Sequence, residues 1–208
     1  MDNLNLEDEA AFYNKIPILE VLTTYCTKES NVKNIIEVAS GLGIHAAYFC
    51  ENLPSITHFQ PTEKEVKCFS MIQKLTKNQT AVQTPLELDV LNDSHWKSLT
   101  DNFYDLGIVT NMCHISPWEC TEALFAGVVN KLKDNSYFLI YGPFMVNFKP
   151  TTESNAKFDN YLKNRNSLWG LRDVTEVEAA AKKVGIIYQK KIEMPENNFI
   201  LVFKKEKN

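Results

Sequence analysis

A short glycine-containing segment preceded by an acid carries the strongest chemical signal in this sequence. Gly41 and Gly43 fit the pattern G-x-G-x-x-G/A, which Ala46 completes, and Glu37 stands four positions before Gly41. Glycines let a backbone turn tightly and come close to a ligand. Nicotinamide enzymes and enzymes that use S-adenosylmethionine both have such a turn after the first strand of a sheet. The turn alone therefore indicates a nucleotide-like cofactor.

Two carboxylates favour one of these cofactors. Glu37 would repel a pyrophosphate, but it would attract the ammonium and sulfonium groups of S-adenosylmethionine. Asp89, at the predicted end of a third strand, offers an acceptor for an adenine amino group. We therefore predict that the cofactor is S-adenosylmethionine rather than a nicotinamide. The predicted cofactor-binding residues are Glu37, Ala39, Ser40, Gly41, Gly43, Gln60, Glu63, Asp89, Val90, Asn111 and Met112.

The group that binds the ribose is ambiguous in the sequence. Sheets that bind adenosine usually have an acid after the second strand, where it bonds the ribose hydroxyls. Here the corresponding residue is Gln60, whose amide bonds hydroxyls with less electrostatic attraction than a carboxylate. Glu63 can instead reach the ribose from the first turn of the next predicted helix. Both alternatives stay open at this point.

The candidate catalytic residues follow the fourth and fifth predicted strands, and they are Asn111, His114 and Tyr141. Methyl transfer is an in-line displacement, so the protein mainly has to align the reacting groups. A base is needed only if the acceptor arrives protonated. Asn111 can bond the acceptor or the cofactor, and His114 can take a proton near neutral pH. The alternative for His114 is a purely structural role.

The segment 142–172 mixes aromatic, amide and charged residues, and we predict that it forms a partly helical lid over the mouth of the site. It holds both arginines of the chain, Arg165 and Arg172. Because arginine suits a planar anion, one of them is expected to bind an anionic group of a small acceptor. The alternative is a salt bridge of Arg172 with Asp159 or Asp173. The predicted substrate-binding residues are Asn155, Asp159, Arg165, Trp169, Arg172 and Asn198.

Alternating strands and helices must position these residues. Strands are predicted at 32–38, 56–59, 86–90, 104–110, 136–141, 186–188 and 199–203. Helices are predicted at 16–26, 44–52, 62–74, 117–132, 152–165 and 173–184, and Thr62 with Glu65 forms a capping-box pattern. The alternation predicts a single Rossmann-like α/β domain over residues 1–208. We expect a mostly parallel seven-stranded sheet with one antiparallel strand in the edge region and helices on both faces.

Composition and charge disfavour several classes of partner. The net charge is −4 and basic residues cluster only at the C-terminal end, so no nucleic acid is expected to bind. The five cysteines form no C-x-x-C pair, so no metal site is expected. No secretory signal or run of about 18 apolar residues is found, so no membrane partner is expected. We expect a cytoplasmic protein, and the oligomeric state stays open.

Six segments of the sequence resemble the methyltransferase-like protein 26 family. They are EVASGLGIHA (37–46), FQPT (59–62), NMCHISPW (111–118), YGPF (141–144), WGLRD (169–173) and MPENN (194–198). The resemblance covers nearly the whole chain and implies the class I methyltransferase fold and binding of its cofactor. The Gln-Pro pair at 60–61 fits the family. In contrast, Tyr13 stands where the family usually has an arginine.

These observations lead to two hypotheses from different classes. The first is an S-adenosylmethionine-dependent methyltransferase that acts on a small molecule, since the chain has no basic face. Protein methylation stays open. The alternative is a catalytically inactive protein that binds the cofactor or a partner through a methyltransferase fold. Gln60 at the ribose position and the lack of a clear base support this alternative.

Overall fold

The structure is a computed structural model that describes residues 6–27 and 29–207. Its first elements are α1 (Leu6–Tyr25), β1 (Asn34–Val38), α2 (Ile44–Asn52), β2 (His58–Glu63), α3 (Phe69–Thr76), β3 (Leu86–Glu87), α4 (Asp93–Lys97), β4 (Tyr104–Thr110) and α5 (Trp118–Lys131). The remaining elements are β5 (Leu132–Gly142), β6 (Phe144–Val146), β7 (Lys149–Pro150), α6 (Glu153–Arg165), β8 (Arg172–Asp173), α7 (Val174–Lys182), β9 (Ile186–Met194) and β10 (Asn198–Lys205). Short 3₁₀ turns lie at Val66–Cys68, Cys113–Ile115 and Pro195–Asn197.

Seven strands form one sheet in the order β3-β2-β1-β4-β5-β10-β9. β1 pairs in parallel with β2 and β4, and the pairs β2–β3 and β4–β5 are parallel as well. β10 is antiparallel to both of its neighbours, β5 and β9. The prediction of a mostly parallel seven-stranded sheet is confirmed. Its antiparallel strand lies one position in from the edge.

The sheet is covered on both faces, as predicted. Ile35 and Ile36 are adjacent in β1 and fully buried, yet they belong to two different apolar clusters. Successive side chains of a strand point to opposite faces, so these clusters are the two sides of the sheet. Ile18 and Leu22 of α1 pack on the Ile35 side. α5 and α7 pack on the other side, where α5 contributes Phe125.

The prediction of a helix at 62–74 is wrong for its first residues. β2 continues to Glu63, and α3 begins only at Phe69. The Thr62 hydroxyl donates to the carbonyl of Glu37 at 2.8 Å, so it bridges β2 to β1 rather than capping a helix. The contact between strands outweighs the local capping-box pattern. As a result, Glu63 lies at the end of a strand.

Other predicted elements differ mainly in length. α1 begins at Leu6 rather than at residue 16, and it continues through Pro17. β5 begins at Leu132 instead of residue 136, and β9 extends to Met194 instead of ending at 188. These extensions are polar or partly exposed, and hydrophobic periodicity gives little signal in such stretches.

The segment 142–172 forms α6 and part of a small second sheet. β6 pairs in parallel with β8 and antiparallel with β7. α6 corresponds to the helix predicted at 152–165, and the Thr152 side chain caps its start by accepting from the amide of Asn155. The segment leaves the main sheet at the carboxyl end of β5. Because β5 runs parallel to β4 and β1, this is the end at which the glycine turn lies.

The described residues contain neither a membrane-spanning helix nor a metal-binding cluster. No helix among them is both long and apolar enough to cross a bilayer. No group of three or more His, Cys, Asp or Glu side chains in these ranges is arranged to hold a metal ion. Cys26, Cys113 and Cys120 are buried free thiols.

The turn after β1 depends on glycine at two positions. Gly41 and Gly43 have φ values of +54° and +83°, in the left-handed region. A Cβ atom added at Gly43 would lie 3.0 Å from the backbone Cα of Ile72 in α3, whereas one at Gly41 would meet no atom within 4 Å. Gly43 therefore allows α3 to pack closely against the start of α2.

Replacing Gly43 with alanine should destabilise the fold by more than backbone strain alone. Gly185→Ala is the matched control, because Gly185 has a φ of +80° but no atom within 4 Å of an added Cβ. Both variants suffer the strain of a positive φ, and only Gly43→Ala also collides with Ile72. We expect Gly43→Ala to lose about 2 kcal/mol more unfolding free energy in urea titrations. Equal losses for the two variants would contradict this packing role.

Candidate functional site

A cavity of about 470 Å³ opens at the carboxyl ends of β1, β2 and β4. We refer to it as the first cavity. Ligands in open α/β sheets bind in this position, outside the carboxyl ends of the strands. The predicted cofactor residues that line it are Ala39, Ser40, Gly41, Glu63, Asp89, Val90, Asn111 and Met112. Three others do not line it, namely Glu37, Gly43 and Gln60.

Glu63 connects the end of β2 to the glycine turn. Its Oε2 accepts from the Gly41 amide at 2.8 Å, and its Oε1 accepts from the Glu65 amide at 3.0 Å. The carboxylate is nearly buried but lines the first cavity. A carboxylate has about four lone-pair sites, so two hydrogen bonds leave acceptor capacity that faces the cavity.

Gln60 is turned away from the first cavity. Its Nε2 donates to the carbonyls of Pro61 and Thr84, at 3.0 and 2.9 Å. These bonds hold its buried amide between β2 and the approach to β3. Of the two ribose candidates, the structure therefore places Glu63 at the cavity and Gln60 outside it. Gln60 is a correction to the predicted cofactor set, because its donors are already used.

Asp89 lines the first cavity together with Lys64. Lys64 Nζ lies 2.8 Å from Asp89 Oδ2, and Asp89 Oδ1 accepts from the Leu91 amide at 3.1 Å. Partial burial acts to raise the pKa of Asp89, but the Lys64 ammonium and the Leu91 N–H outweigh it and hold that pKa below its ordinary value. Asp89 is therefore ionised and available as an acceptor at this end of the cavity.

Apolar side chains form a slot between these acids and β4. Leu88, Pro117 and Cys120 line it together with the predicted Val90 and Met112. The sequence prediction missed the first three, although Pro117 and Cys120 lie one turn apart at the start of α5. A slot of this kind accepts the flat face of a heterocycle, and the neighbouring acid accepts from its edge.

Glu37 is buried behind the wall of the first cavity. It is 1% exposed, and neither carboxyl oxygen has a hydrogen-bond partner among the described residues. The nearest ring is His45, which lines the cavity, with Nδ1 3.7 Å from Glu37 Oε1. Direct contact of Glu37 with a ligand was predicted from the sequence. In the structure, Glu37 adjoins the cavity through His45.

Glu37 and His45 are both uncharged at neutral pH. Burial raises the pKa of Glu37 to about 8; the Ser40 side chain acts to lower it, and the nearby Glu63 adds to the rise. Burial, helped by the charge of Lys15, lowers the pKa of His45 to about 4. His45 Nε2 lies 2.8 Å from Asn14 Oδ1, so Nε2 carries the proton and Nδ1 presents its lone pair to the protonated Glu37. In the ligand-free protein this pair is neutral, and the predicted attraction of an ionised Glu37 for an ammonium group stays a prediction.

A second, larger cavity of about 990 Å³ adjoins the first. We refer to it as the second cavity. Its walls come from α1, α6, the end of β5 and the turn between β9 and β10. Asn111 and Ile115 line both cavities, so the two spaces meet at the segment that follows β4. Asn111 has a φ of +57°, a left-handed conformation that asparagine tolerates better than most residues.

All three predicted catalytic residues line the second cavity, but two of them are weak proton acceptors. Burial, together with the charge of Arg172, lowers the pKa of His114 to about 3. So weak a base is unprotonated in the ligand-free protein, and the proton-accepting role of His114 stays a prediction. Burial raises the pKa of Tyr141 to about 12, although hydrogen bonds to Asn14 and Asn198 act to lower it. Tyr141 is a neutral hydroxyl.

The predicted substrate-binding residues divide into three groups. Asn155, Arg165 and Asn198 line the second cavity, and Trp169 lines the first. Asp159 lines neither, because its oxygens accept from the Leu171 amide and pair with Lys163. Asp159 is thus a correction, and it instead links α6 to the segment that precedes β8.

Arg172 is the other correction. Its Nε donates to the carbonyl of Cys113 at 3.0 Å, and its Nη2 donates to the carbonyls of Ser116 and Leu168. It lines neither cavity, and within the described ranges it forms no salt bridge with an acid. Arg172 ties β8 to the segment that follows β4, which is a structural role. Nothing in the sequence indicated that Arg172 would donate its hydrogen bonds to backbone carbonyls.

The fold matches solved methyltransferases. An O-methyltransferase family protein from Burkholderia thailandensis gives a TM-score of 0.77 at 12% identity, over 93% of this chain and 56% of that one. A putative sarcosine dimethylglycine methyltransferase from Galdieria sulphuraria gives 0.70 at 10% identity, over 95% and 86%. PigF with SAH gives 0.70 at 14% identity, over 89% and 53%.

At these identities the likeness defines the fold, which is that of the methyltransferases. The chain spans little more than half the length of the first and third of these proteins. The family described as a protein of unknown function, DUF938, matches residues 7–205. The chain belongs to that family.

The buried carboxyl of Glu37 should give the ligand-free protein a characteristic pH dependence. Its folded pKa of about 8 exceeds its ordinary value of 4.5, so the folded state keeps a proton that the unfolded chain loses. This contribution to stability is complete below the unfolded pKa and is lost as the pH rises through the folded one. Glu37→Gln removes the titratable carboxyl and with it this pH-dependent contribution to stability. Relative to the native protein, the variant should gain about 5 kcal/mol of unfolding free energy between about pH 4.5 and pH 8.5, since each pKa unit corresponds to about 1.4 kcal/mol.

Urea unfolding at several pH values measures this difference. Glu51→Gln makes the same substitution at an exposed position on α2 and serves as the control. If the stability curves of the native protein and Glu37→Gln run parallel across this range, the assignment of a neutral, buried Glu37 is wrong.

Proposed function

We propose that this chain is an S-adenosylmethionine-dependent methyltransferase that acts on a small molecule. The observation that carries the proposal is the meeting of the two cavities at Asn111 and Ile115. A methyl donor in the first cavity and an acceptor in the second would face each other at these residues. The methyltransferase fold supports this arrangement, because ligands in such sheets bind at the same end.

The first cavity has the donors and acceptors that this cofactor requires. Glu63 would accept from the ribose hydroxyls with its remaining lone pairs, and Asp89 would accept from the adenine amino group. The apolar slot beside Val90 and Met112 would hold the adenine ring. Glu37 would act as a positioning residue through His45. When bound, the cofactor supplies an electrophilic methyl group on its sulfonium sulfur.

The residues of the chain would contribute alignment more than proton removal. Asn111 stands at the boundary of the two cavities, so its amide is placed to orient an acceptor. The Tyr141 hydroxyl, held by Asn14 and Asn198, would donate to a polar group of that acceptor. His114 is too weak a base to remove a proton efficiently. In-line displacement needs accurate positioning above all, and this site offers it.

α6 and α1 would exclude water from the site. α6 lines the second cavity with Asn155, Phe158 and Arg165, whereas Trp169, just beyond it, lines the first. α1 contributes Ala11 to the first cavity and other residues to the second. We infer that the segment 142–172 is the lid of a single domain. Dry surroundings strengthen every polar contact with the reacting groups.

Within the DUF938 family we propose that the chain belongs to the methyltransferase-like protein 26 group. The segments that carry this resemblance surround both cavities. Residues 37–46 form the glycine turn, 111–118 form the boundary between the cavities, and 194–198 form the turn beside the second cavity.

One observation favours a second candidate, a protein that binds the cofactor without transferring a methyl group. Among the described residues that line the second cavity, the buried titratable side chains are His114 and Tyr141, and burial moves the pKa of each away from neutral. An acceptor that needs deprotonation would therefore find little help there. This candidate shares the cofactor site with the first and differs from it only in turnover.

Calorimetric titration with S-adenosylmethionine tests the cofactor site. Glu63→Gln should weaken binding about tenfold, because a charged acceptor becomes a neutral one while the bond to the Gly41 amide is kept. Glu87→Gln is the control, since Glu87 pairs beside Glu63 in the sheet but lies outside the cavity. NAD should not bind. Binding that is equally strong in all three proteins would remove Glu63 from the site.

Formation of S-adenosylhomocysteine in the presence of a small-molecule library tests turnover. Asn111→Gly keeps the positive φ of this position but removes the amide, so it should slow transfer roughly tenfold or more while cofactor affinity changes less. If the cofactor binds and no acceptor is methylated, the non-catalytic candidate is favoured.

A further inference from the structure

We propose that the second cavity takes a planar aromatic acceptor with a single anionic group, and that Arg165 binds this group. The term acceptor rests on the proposed function, because it assumes that a methyl donor occupies the first cavity. The shape and charge of the second cavity stand independently of that assumption. Aromatic rings set the shape, one unpaired cation sets the charge, and the spacing of both along α6 sets the length.

Exposed aromatic rings face the second cavity from two helices. Tyr13 of α1 is 80% exposed, and Phe158 and Tyr161 of α6 are 36% and 43% exposed. The rings of Phe158 and Tyr161 are nearly parallel, with an interplanar angle of 17° and centroids 6.3 Å apart. Large apolar rings left open to solvent gain most from a flat apolar ligand that covers them. The cavity therefore suits a planar aromatic body.

Arg165 is the only lysine or arginine among the described residues that line the second cavity. Its Nη1 lies 3.4 Å from the Tyr161 hydroxyl, and its guanidinium lies 5.7 and 5.8 Å from the ring centroids of Tyr161 and Trp169. No described carboxylate pairs with it. In contrast, Lys157 and Lys163 of the same helix each pair with an acid one turn away.

The guanidinium thus lies over two aromatic rings and pairs with no described acid. A planar fork of N–H donors matches a carboxylate or a similar oxyanion, which accepts two parallel hydrogen bonds. The same rings that orient Arg165 would also stack on an aromatic ligand. The anionic group and the aromatic body are therefore expected on one molecule.

The spacing along α6 sets the length of this molecule. The Phe158 ring contacts His114, with centroids 5.7 Å apart, near the boundary where the two cavities meet. Arg165 follows Phe158 by seven residues, two turns along the same face, which is a rise of roughly 10 Å. An acceptor that reaches from the boundary to Arg165 needs two or three fused rings. Its nucleophilic atom and its anionic group would lie at opposite ends.

The carboxylates of the cavity disfavour a second anionic group. Glu20 and Glu196 also line the second cavity. Glu196 adjoins Asn197, whose carbonyl accepts from Asn155 in the first turn of α6. Asn155 precedes Arg165 by ten residues, so Glu196 lies about 15 Å along the helix from the cation. Charge of opposite sign at the two ends selects a monoanion over a dianion.

Titration with matched aromatic probes tests the proposal. The probes are a hydroxybenzoate, a hydroxynaphthoate and a hydroxyanthracenecarboxylate with hydroxyl and carboxylate at opposite ends, the matching naphthol, and the matching naphthalenedicarboxylate. The hydroxynaphthoate or the hydroxyanthracenecarboxylate should bind about tenfold more tightly than the naphthol and the dicarboxylate. The hydroxybenzoate, which is too short, should bind more weakly than either.

Arg165→Gln should reduce the affinity for the best carboxylate probe about tenfold and leave that for the naphthol unchanged. Lys157→Gln removes the same charge from the same helix outside the cavity, and it should change neither affinity. The proposal is overturned if no carboxylate probe binds below about 1 mM, or if the carboxylate gives no advantage over the naphthol. Equal effects of Arg165→Gln and Lys157→Gln would overturn it as well.

Titration of the same proteins with S-adenosylmethionine separates this proposal from the proposed function. If the probes bind through Arg165 but the methyl donor does not bind, the proposed function fails and the ligand class of the second cavity stands. If the donor binds with native affinity to Arg165→Gln but the probes show no dependence on Arg165, only the present proposal fails.

Discussion

The bond between the Glu63 carboxylate and the Gly41 amide is the contact on which the site depends. At 2.8 Å it fixes the end of β2 against the turn that follows β1. The Ser40 amide and the Thr62 hydroxyl add two further bonds between the same segments. A turn with positive φ at two glycines is strained for most residues and flexible for glycine, so it needs such external support. The first cavity keeps its shape because this turn cannot move independently of the sheet.

A second set of contacts, at the end of β4, fixes the boundary between the two cavities. Asn111 adopts a left-handed conformation at the end of β4 and lines both cavities, so it lies where they meet. Arg172 holds the segment after it through the backbone carbonyls of Cys113 and Ser116, and its charge helps to keep the buried His114 neutral. The boundary between the cavities is therefore tied to β8 by hydrogen bonds, and its residues Asn111, His114 and Ile115 are uncharged.

Much of the fold and part of the site follow from the sequence, and the reasons differ by residue. The strand at 104–110 is found correctly because its residues 106–109 form an apolar run that is buried on both faces. The end of β2 is missed because Thr62 bonds to β1 across the sheet, which a local capping pattern cannot reveal. Arg172 is misplaced for a similar reason, since two of its three partners are backbone carbonyls of the distant segment that follows β4. Burial, which determines the charge of Glu37 and His114, has no local signature in a sequence.

The interior position of β10 has a consequence for how the chain acquires its structure. β10 lies between β5 and β9 and is bonded to both, with Phe199 through Phe203 almost completely buried. During synthesis β10 leaves the ribosome after β5 and β9, the two strands that it separates in the sheet. Until β10 has been synthesised, β5 and β9 have no common neighbour in the sheet. The apolar space that β10 fills in the folded protein is then unoccupied. The edges of β5 and β9 that face β10 therefore stay unpaired until β10 has been synthesised and bonds to both strands.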